Sequence, residues 1–261
     1  MKGHDVMVKS LLKDKLTVEI YETRDEMGKA AANDIADAIH ALFQEKDEIN
    51  MIFAAAPSQN DVLFHLCERE DIAWEKINAF HMDEYIGLPK AAPQGFANFL
   101  IDKIFSKKPF KSVNLIDSTA QNPDAESERY SKLLQQHPTD IVVLGIGENG
   151  HIAFNDPHVA DFNDTKMVKP VELDETCRQQ QVNDGCFTSL EQVPKYAMTL
   201  TVPTMFAAKC LFCVVPCTTK ANAVRNTVEG EISEKCPATI LRKHTAAKLY
   251  CDSDSAALLE K

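Results

Sequence analysis

The strongest constraint in this chain is a rhythm: short, almost uninterrupted apolar runs alternate with longer segments patterned for helices. The runs are LTVEIY (16–21), MIFAAA (51–56), KINAFHM (76–82), VNLI (113–116), IVVLGIG (141–147), YAMTLTV (196–202), KCLFCVV (209–215) and AKLYC (247–251). Runs this short and apolar on both faces read as buried strands, since a strand covered on one side only would alternate apolar with polar residues. Between the first two lies a helix, opened by the capping box Thr23-x-x-Glu26 and striped with Met27, Ala31, Ile35, Ile39 and Leu42. Further helices are expected at about 61–69, 98–105, 125–136 and 220–229. The alternation predicts an α/β protein: one domain over 1–261, a Rossmann-like, doubly wound, mainly parallel sheet with helices on both faces.

Composition narrows the function classes. With 261 residues, 44% of them hydrophobic, the chain can bury one substantial core. Its 39 carboxylates against 28 Lys and Arg give a net charge of −11, a field that disfavours nucleic acid and anionic membranes as partners. No stretch reaches the roughly 18 uninterrupted apolar residues of a membrane span, and residues 1–15 lack the apolar core of a secretion signal, so a cytoplasmic location is expected. The eight cysteines are scattered apart from Cys210, Cys213 and Cys217, which sit in an apolar, β-prone segment and read as reduced core filler. With no second paired cluster for zinc, no metal site is expected. An anionic ligand would have to be held by local donors, because the overall charge repels it.

In sheets of this kind ligands bind beyond the carboxyl ends of strands, and three such ends stand out. After IVVLGIG the chain runs Glu148-Asn149-Gly150-His151-Ile152-Ala153-Phe154-Asn155-Asp156-Pro157. Gly145, Gly147 and Gly150 allow backbone to approach a ligand, and Asp156, five residues beyond His151, is close enough to orient its imidazole as a general base. A lone His would otherwise satisfy its own loop. After KINAFHM comes Asp83-Glu84-Tyr85; two adjacent carboxylates repel, so one is expected exposed and the other held with a raised pKa, either being a candidate carbon-acid base. After MIFAAA, the stretch Pro57-Ser58-Gln59-Asn60-Asp61 leads into a helix. Ser58 or Asn60 reads either as its N-cap or, with the free N–H groups there, as part of a phosphate site to which Lys220 adds charge.

Together these stretches resemble the glucosamine-6-phosphate deaminase/isomerase family. LGIGENGHIAFNDP is similar to that family's LGIGxxGHIAFNEP signature, FHMDEYIGLP to its F-x-MDEY-x-GLP segment, and VPKYAMTLTV and TTKANAV to its later segments, in order from about residue 50 to 252. The resemblance implies a base, Asp83, that moves a proton at C2 of an open-chain amino-sugar phosphate. It also implies that His151 opens the ring, supported by Asp156 where the family usually has Glu and by Asn149, and that Lys220 binds the phosphate. Ser58, Gln59, Asn60, Glu84 and Gly147 complete the candidate substrate contacts. Two departures are visible: AAAPSQND replaces a Gly- and Thr-rich phosphate loop, and CRQQQVNDGCF puts Asp184-Gly185 where some members aim an Arg at the phosphate, with Arg178 displaced upstream. The implied partner is a small phosphosugar of gluco or galacto configuration, with no cofactor, and homo-oligomer formation is left open. The lactonase branch, 6-phosphogluconolactonase, continues its GxGxxGH motif with a Ser-Leu-Phe-Pro type of segment instead of Ala153-Phe154-Asn155-Asp156-Pro157. A non-catalytic sugar-phosphate binder is the other alternative.

Overall fold

The computed structural model describes residues 7–260. Its strands are β1 (Met7–Lys13), β2 (Leu16–Tyr21), β3 (Ile49–Phe53), β4 (Ile77–His81), β5 (Asp83–Tyr85), β6 (Ser112–Asn114), β7 (Ile141–Leu144), β8 (Val168–Glu172), β9 (Tyr196–Leu200), β10 (Cys210–Val215) and β11 (Ala247–Asp252). The α-helices are α1 (Arg24–Phe43), α2 (Asn60–Cys67), α3 (Phe96–Leu100), α4 (Pro123–Gln136), α5 (Glu175–Asn183), α6 (Val202–Phe206) and α7 (Ala221–Glu229). Eight strands form one sheet in the order β1-β2-β11-β10-β7-β3-β4-β6, all parallel except the β1–β2 hairpin.

Alternate residues of the central strands enter two separate apolar clusters. Met51, Phe53, Ile141 and Val143 face one, while Ile52, Ala54, Val142 and Leu144 face the other. This is why those strands are apolar on both faces apart from Asn50, whose amide donates to Pro138 O at 2.9 Å: helices cover both faces, as the sequence pattern predicts. The first cluster takes in the stripe of α1, whose N-terminus is closed by the Thr23–Glu26 capping box.

The structure corrects several expectations. Residues 196–202 do not join the main sheet; β9 lies at the centre of a second, antiparallel sheet ordered β5-β9-β8. Periodicity cannot say which sheet a buried strand enters, because pairing is decided by distant partners. The helix expected at 98–105 starts at Phe96 and loosens into a π-helical turn over Ile101–Phe105. Neither Ser58 nor Asn60 caps α2: a 3-10 turn over Pro57–Gln59 leads into it, Gln59 stands at the N-cap position, and no side chain caps the helix.

The strand order reverses between β3 and β7. From β3 the chain runs outward through β4 to β6, then returns to place β7 on the other side of β3. Such a reversal leaves a crevice beyond the strand ends. The three loops singled out from sequence leave β7, β3 and β4, which are neighbours at that crevice.

Candidate active site

The crevice is a narrow cleft, open to solvent, whose walls include Ser58, Gln59, Asp83, Gly147, His151, Gln181 and Lys220. They come from five places: the turn after β3 (Ser58, Gln59), β5 (Asp83), the loop after β7 (Gly147, His151), α5 (Gln181) and the turn after β10 (Lys220).

His151 stands on the loop after β7. The turn closes on itself, Gly150 N–H donating to Gly147 O at 2.9 Å and Gly147 N–H to His151 O at 2.9 Å. The imidazole lies against Gly147: a Cβ built on that glycine would fall 2.1 Å from the ring. Only glycine leaves room for the histidine there. Asn155, fully buried, pins the far side of the loop by donating through Nδ2 to Ile152 O (2.9 Å) and to Leu200 O at the end of β9 (2.8 Å).

The polarity of the imidazole follows from its neighbours. Its Nδ1 lies 2.7 Å from Asn149 Oδ1 and 3.0 Å from Asp156 Oδ1. The orientation of the Asn149 amide is set by its other end, where Nδ2 donates to Asp156 Oδ1 (3.0 Å) and Asp174 Oδ2 (3.3 Å), so its oxygen must face the ring. Nδ1 therefore meets two acceptors and carries the proton. Nε2 of the neutral ring is left as an acceptor, and it makes no hydrogen bond among the described residues. Asp156 is fully buried; burial pushes its carboxyl up, but hydrogen bonds from His151, Asn149 and the Asp174 N–H outweigh this and hold it below the ordinary aspartate value.

Asp83 opens β5 and Glu84 follows it, so their side chains leave opposite faces of the strand. Both are buried, at 6% and 1% exposure, which corrects the expectation that repulsion would leave one exposed. The reason is local: Glu84 accepts from the backbone N–H groups of Tyr85 (2.9 Å), Phe96 (3.0 Å) and Ala97 (2.8 Å), tying β5 to the start of α3. Its carboxylate is consumed there and does not line the cleft. Asp83 has no such donors; among the described residues its carboxylate accepts no hydrogen bond. Burial, and then the charge of Glu84, push the Asp83 pKa well above the ordinary value. His81, two residues earlier, is held neutral by burial, its pKa pulled down to about 3, and accepts from Ile116 N–H through Nε2 at 2.9 Å.

At the other end of the cleft, Lys220 closes a 3-10 turn after β10. The turn is set by Cys217, whose φ of 82° is unfavourable for a residue with a side chain and whose N–H is held by both Asp252 oxygens at 3.0 and 3.1 Å. Lys220 is only 5% exposed, yet its ammonium makes no hydrogen bond or ion pair among the described residues. Burial pulls it below the usual lysine range, while Asp184 and Glu148 hold it up. Ser58 and Gln59 line the same cleft, but the loop offers fewer backbone donors than the sequence suggests. Pro57 has no N–H, and those of Gln59 and Asn60 close the turn on Ala56 and Pro57 carbonyls. The Gln59 side chain is fully buried, donating to Ser58 Oγ and Val214 O, both at 3.1 Å. Asn60 does not line the cleft.

The model of the family described as glucosamine-6-phosphate isomerases/6-phosphogluconolactonase matches residues 22–251. The chain belongs to that family. Glucosamine-6-phosphate deaminases of Streptococcus sanguinis and Listeria monocytogenes are each 32% identical to it, over 206 and 212 residues, covering 79% and 81% of this chain and 86% and 88% of their own. A solved monomeric glucosamine-6-phosphate deaminase is 30% identical with a TM-score of 0.83, covering 92% of this chain and 99% of its own. The 6-phosphogluconolactonase of Trypanosoma brucei, at 17% identity and a TM-score of 0.78, covers 97% of this chain and 100% of its own, and shares the fold.

Against this glucosamine-6-phosphate isomerase/6-phosphogluconolactonase background, the structure unites Asp83, Gly147, His151, Ser58, Gln59 and Lys220 around one cleft, keeps Asn149 and Asp156 behind His151, and leaves Glu84 and Asn60 outside. Arg178 is turned away, donating to the backbone carbonyls of Leu190 (2.6 Å) and Val193 (3.0 Å). Sequence reasoning missed three residues. Asp174 caps α5 through Cys177 N–H (2.6 Å) and also joins the His151 network; the Asp174-x-x-Cys177 spacing at a helix start was its available signal. Gln180 and Gln181 are buried along the cleft, and a polar QQQ run gave no hint of burial.

His151, Asp156 and Cys177 bring donor atoms within 4.8 Å of one another. They suit hydrogen bonding better than metal ligation: Nδ1 carries the proton, and burial together with Asp156 pushes the Cys177 thiol well above its ordinary pKa.

Proposed function

We propose that this chain is a glucosamine-6-phosphate deaminase, converting an amino-sugar 6-phosphate and water to the 2-keto sugar phosphate and ammonia. Asp83 and His151 are its acid–base groups, Asp156 and Asn149 position His151, and Lys220 with Ser58 holds the phosphate. One observation carries this: a buried carboxylate without donors, an imidazole with its bare nitrogen toward the cleft, and a buried ammonium without a partner share one crevice.

His151 Nε2 takes the proton of the anomeric hydroxyl while the ring oxygen takes one from solvent as its bond to C1 breaks, giving the open-chain aldehyde; solvent regains that proton when the nitrogen later releases one. Asp83 then removes the C2 proton while His151 returns its proton to O1, forming an enaminol. Asp83 delivers the proton to C1 as the nitrogen loses one of its own. C1 is now an alcohol and C2 an imine, which water hydrolyses to the ketone and ammonia. Every step is a proton transfer, and a positioned acid or base contributes typically about 10²–10⁴ in rate. A carboxyl with a raised pKa suits a carbon acid, since a stronger base drives the transfer better.

All eight cysteines are free thiols, and no helix among the described residues is long and apolar enough to cross a membrane. The thiols favour a reducing, cytoplasmic setting. The test is ammonia release from purified protein given glucosamine 6-phosphate or galactosamine 6-phosphate. Release from either is expected, the ratio of kcat/KM values assigning the epimer; release from neither overturns the assignment.

A further inference from the structure

The anionic end of the cleft holds one charge where the missing arginine would have made two. Lys220 is the cation there, and Asp184 and Glu148 are near enough to act on it electrostatically. The neutral donors around it are mostly spoken for. Gln59 is committed to Ser58 and Val214. Gln180 accepts from Glu148 N–H at 2.9 Å and donates to Asp184 Oδ2 at 3.3 Å.

Gln181 differs from both. It is 7% exposed and lines the cleft, yet its side-chain amide makes no hydrogen bond among the described residues. Its other flank faces a neighbouring hollow walled largely by apolar groups, among them Ala55, Pro93, Phe96 and Phe99. Its amide atoms keep contact with the open cleft, where they are free to meet a ligand. The helix carrying it is held firmly: Gln180 joins α5 to Glu148, and Asp174 joins it to Asn149. The amide is thus presented from a fixed element beside Lys220.

We propose that Gln181 is a specificity-determining residue whose side-chain N–H donates to the anionic end of the substrate beside Lys220. That end is read by one cation and neutral donors, Gln181 and the Ser58 hydroxyl, in place of two cations. This rests on the deaminase reading for the identity of the substrate but not for the existence of the anion site.

The experiment compares wild type with Gln181→Glu, which keeps the shape and removes the donor, and with Gln181→Leu. Steady-state kinetics with the active sugar phosphate are read beside the Kd for inorganic phosphate by calorimetry. The expected result is a KM and a phosphate Kd raised about tenfold in Gln181→Leu, equal to one hydrogen bond of roughly 1.4 kcal/mol, and more in Gln181→Glu, with kcat within about threefold. Values within twofold of wild type in Gln181→Glu, or a wild type that does not bind phosphate, overturn the proposal. If wild type binds phosphate and loses it on substitution but releases no ammonia from either sugar, the site stands and the deaminase reading falls.

Discussion

The two ends of the cleft are built on opposite plans. At the His151 end the polarity is fixed before any ligand arrives: Nδ1 faces two oxygens, Asn149 is oriented by two carboxylates, and Asp156 by its own donors. At the Lys220 end the principal groups, Lys220 and Gln181, are buried and bound to nothing among the described residues. The difference fits the roles proposed for the two ends. A proton-transfer group works only in one tautomer and one orientation, so its surroundings must hold it. An anion site gains affinity by leaving its donors unsatisfied until the anion supplies the acceptors. Asp83 and Glu84 repeat the contrast within one strand, since Glu84 takes three N–H donors and Asp83 none.

If the His151 end is preset in this way, disrupting it should cost turnover more than binding. The largest effect among these is expected from His151→Gln, which removes the basic nitrogen: kcat falls by about 10²–10⁴ while the phosphate Kd measured by calorimetry stays within about twofold. Next is Gly147→Ala, whose Cβ would collide with the imidazole and displace it. A kcat loss of about 10²-fold is expected, in line with the cost of misplacing a reacting group by about 1 Å; unchanged kcat would show that the ring has room to move. Asp156→Asn should cost less, about tenfold in kcat, because Asn149 Oδ1 still receives the Nδ1 proton and removing one of two supports falls below the loss of the whole general base. Glu84→Ala tests the other side of the comparison. It leaves three N–H groups unmet, two of them buried, so a loss of about 1–3 kcal/mol for the first unsatisfied group alone should appear in denaturant unfolding, with kcat of the folded enzyme within a few-fold.

Much of this was legible in the sequence because it depends on local chemistry. The capping box over Thr23 and Glu26, the doubly apolar strands and the glycine at 147 each act within a few residues of chain. The resemblance carried further, naming Asp83, His151 and Lys220 together. What stayed hidden was set by distant partners. Residues 196–202 look like any other buried strand, and only pairing with Asp83–Tyr85 and Val168–Glu172 puts them in the second sheet. Glu84 reads as a second carboxylate for catalysis until the N–H groups of Phe96 and Ala97 fold back to claim it. Gln181 is one polar letter in a polar run, and its importance comes from lining the same cleft as Lys220 with its amide bound to nothing among the described residues.

Asp83 gives the most direct test, through activity and stability of Asp83→Asn. Its folded-state pKa is raised, so between the ordinary aspartate pKa and that raised value the native protein keeps a proton that the unfolded chain has given up, and above it the site carries the carboxylate that acts as the base. The native state is therefore most favoured at low pH, and stability is lost as pH rises toward the folded pKa. An asparagine, which never ionises, relieves that loss. At pH 7 and saturating sugar phosphate, Asp83→Asn is predicted to lose at least about 10²-fold in ammonia release while its melting temperature rises, by about 2–4 °C for each kcal/mol relieved. Turnover close to wild type would contradict the assignment of Asp83 as the base that moves the C2 proton, and a lowered melting temperature would contradict the account of its burial.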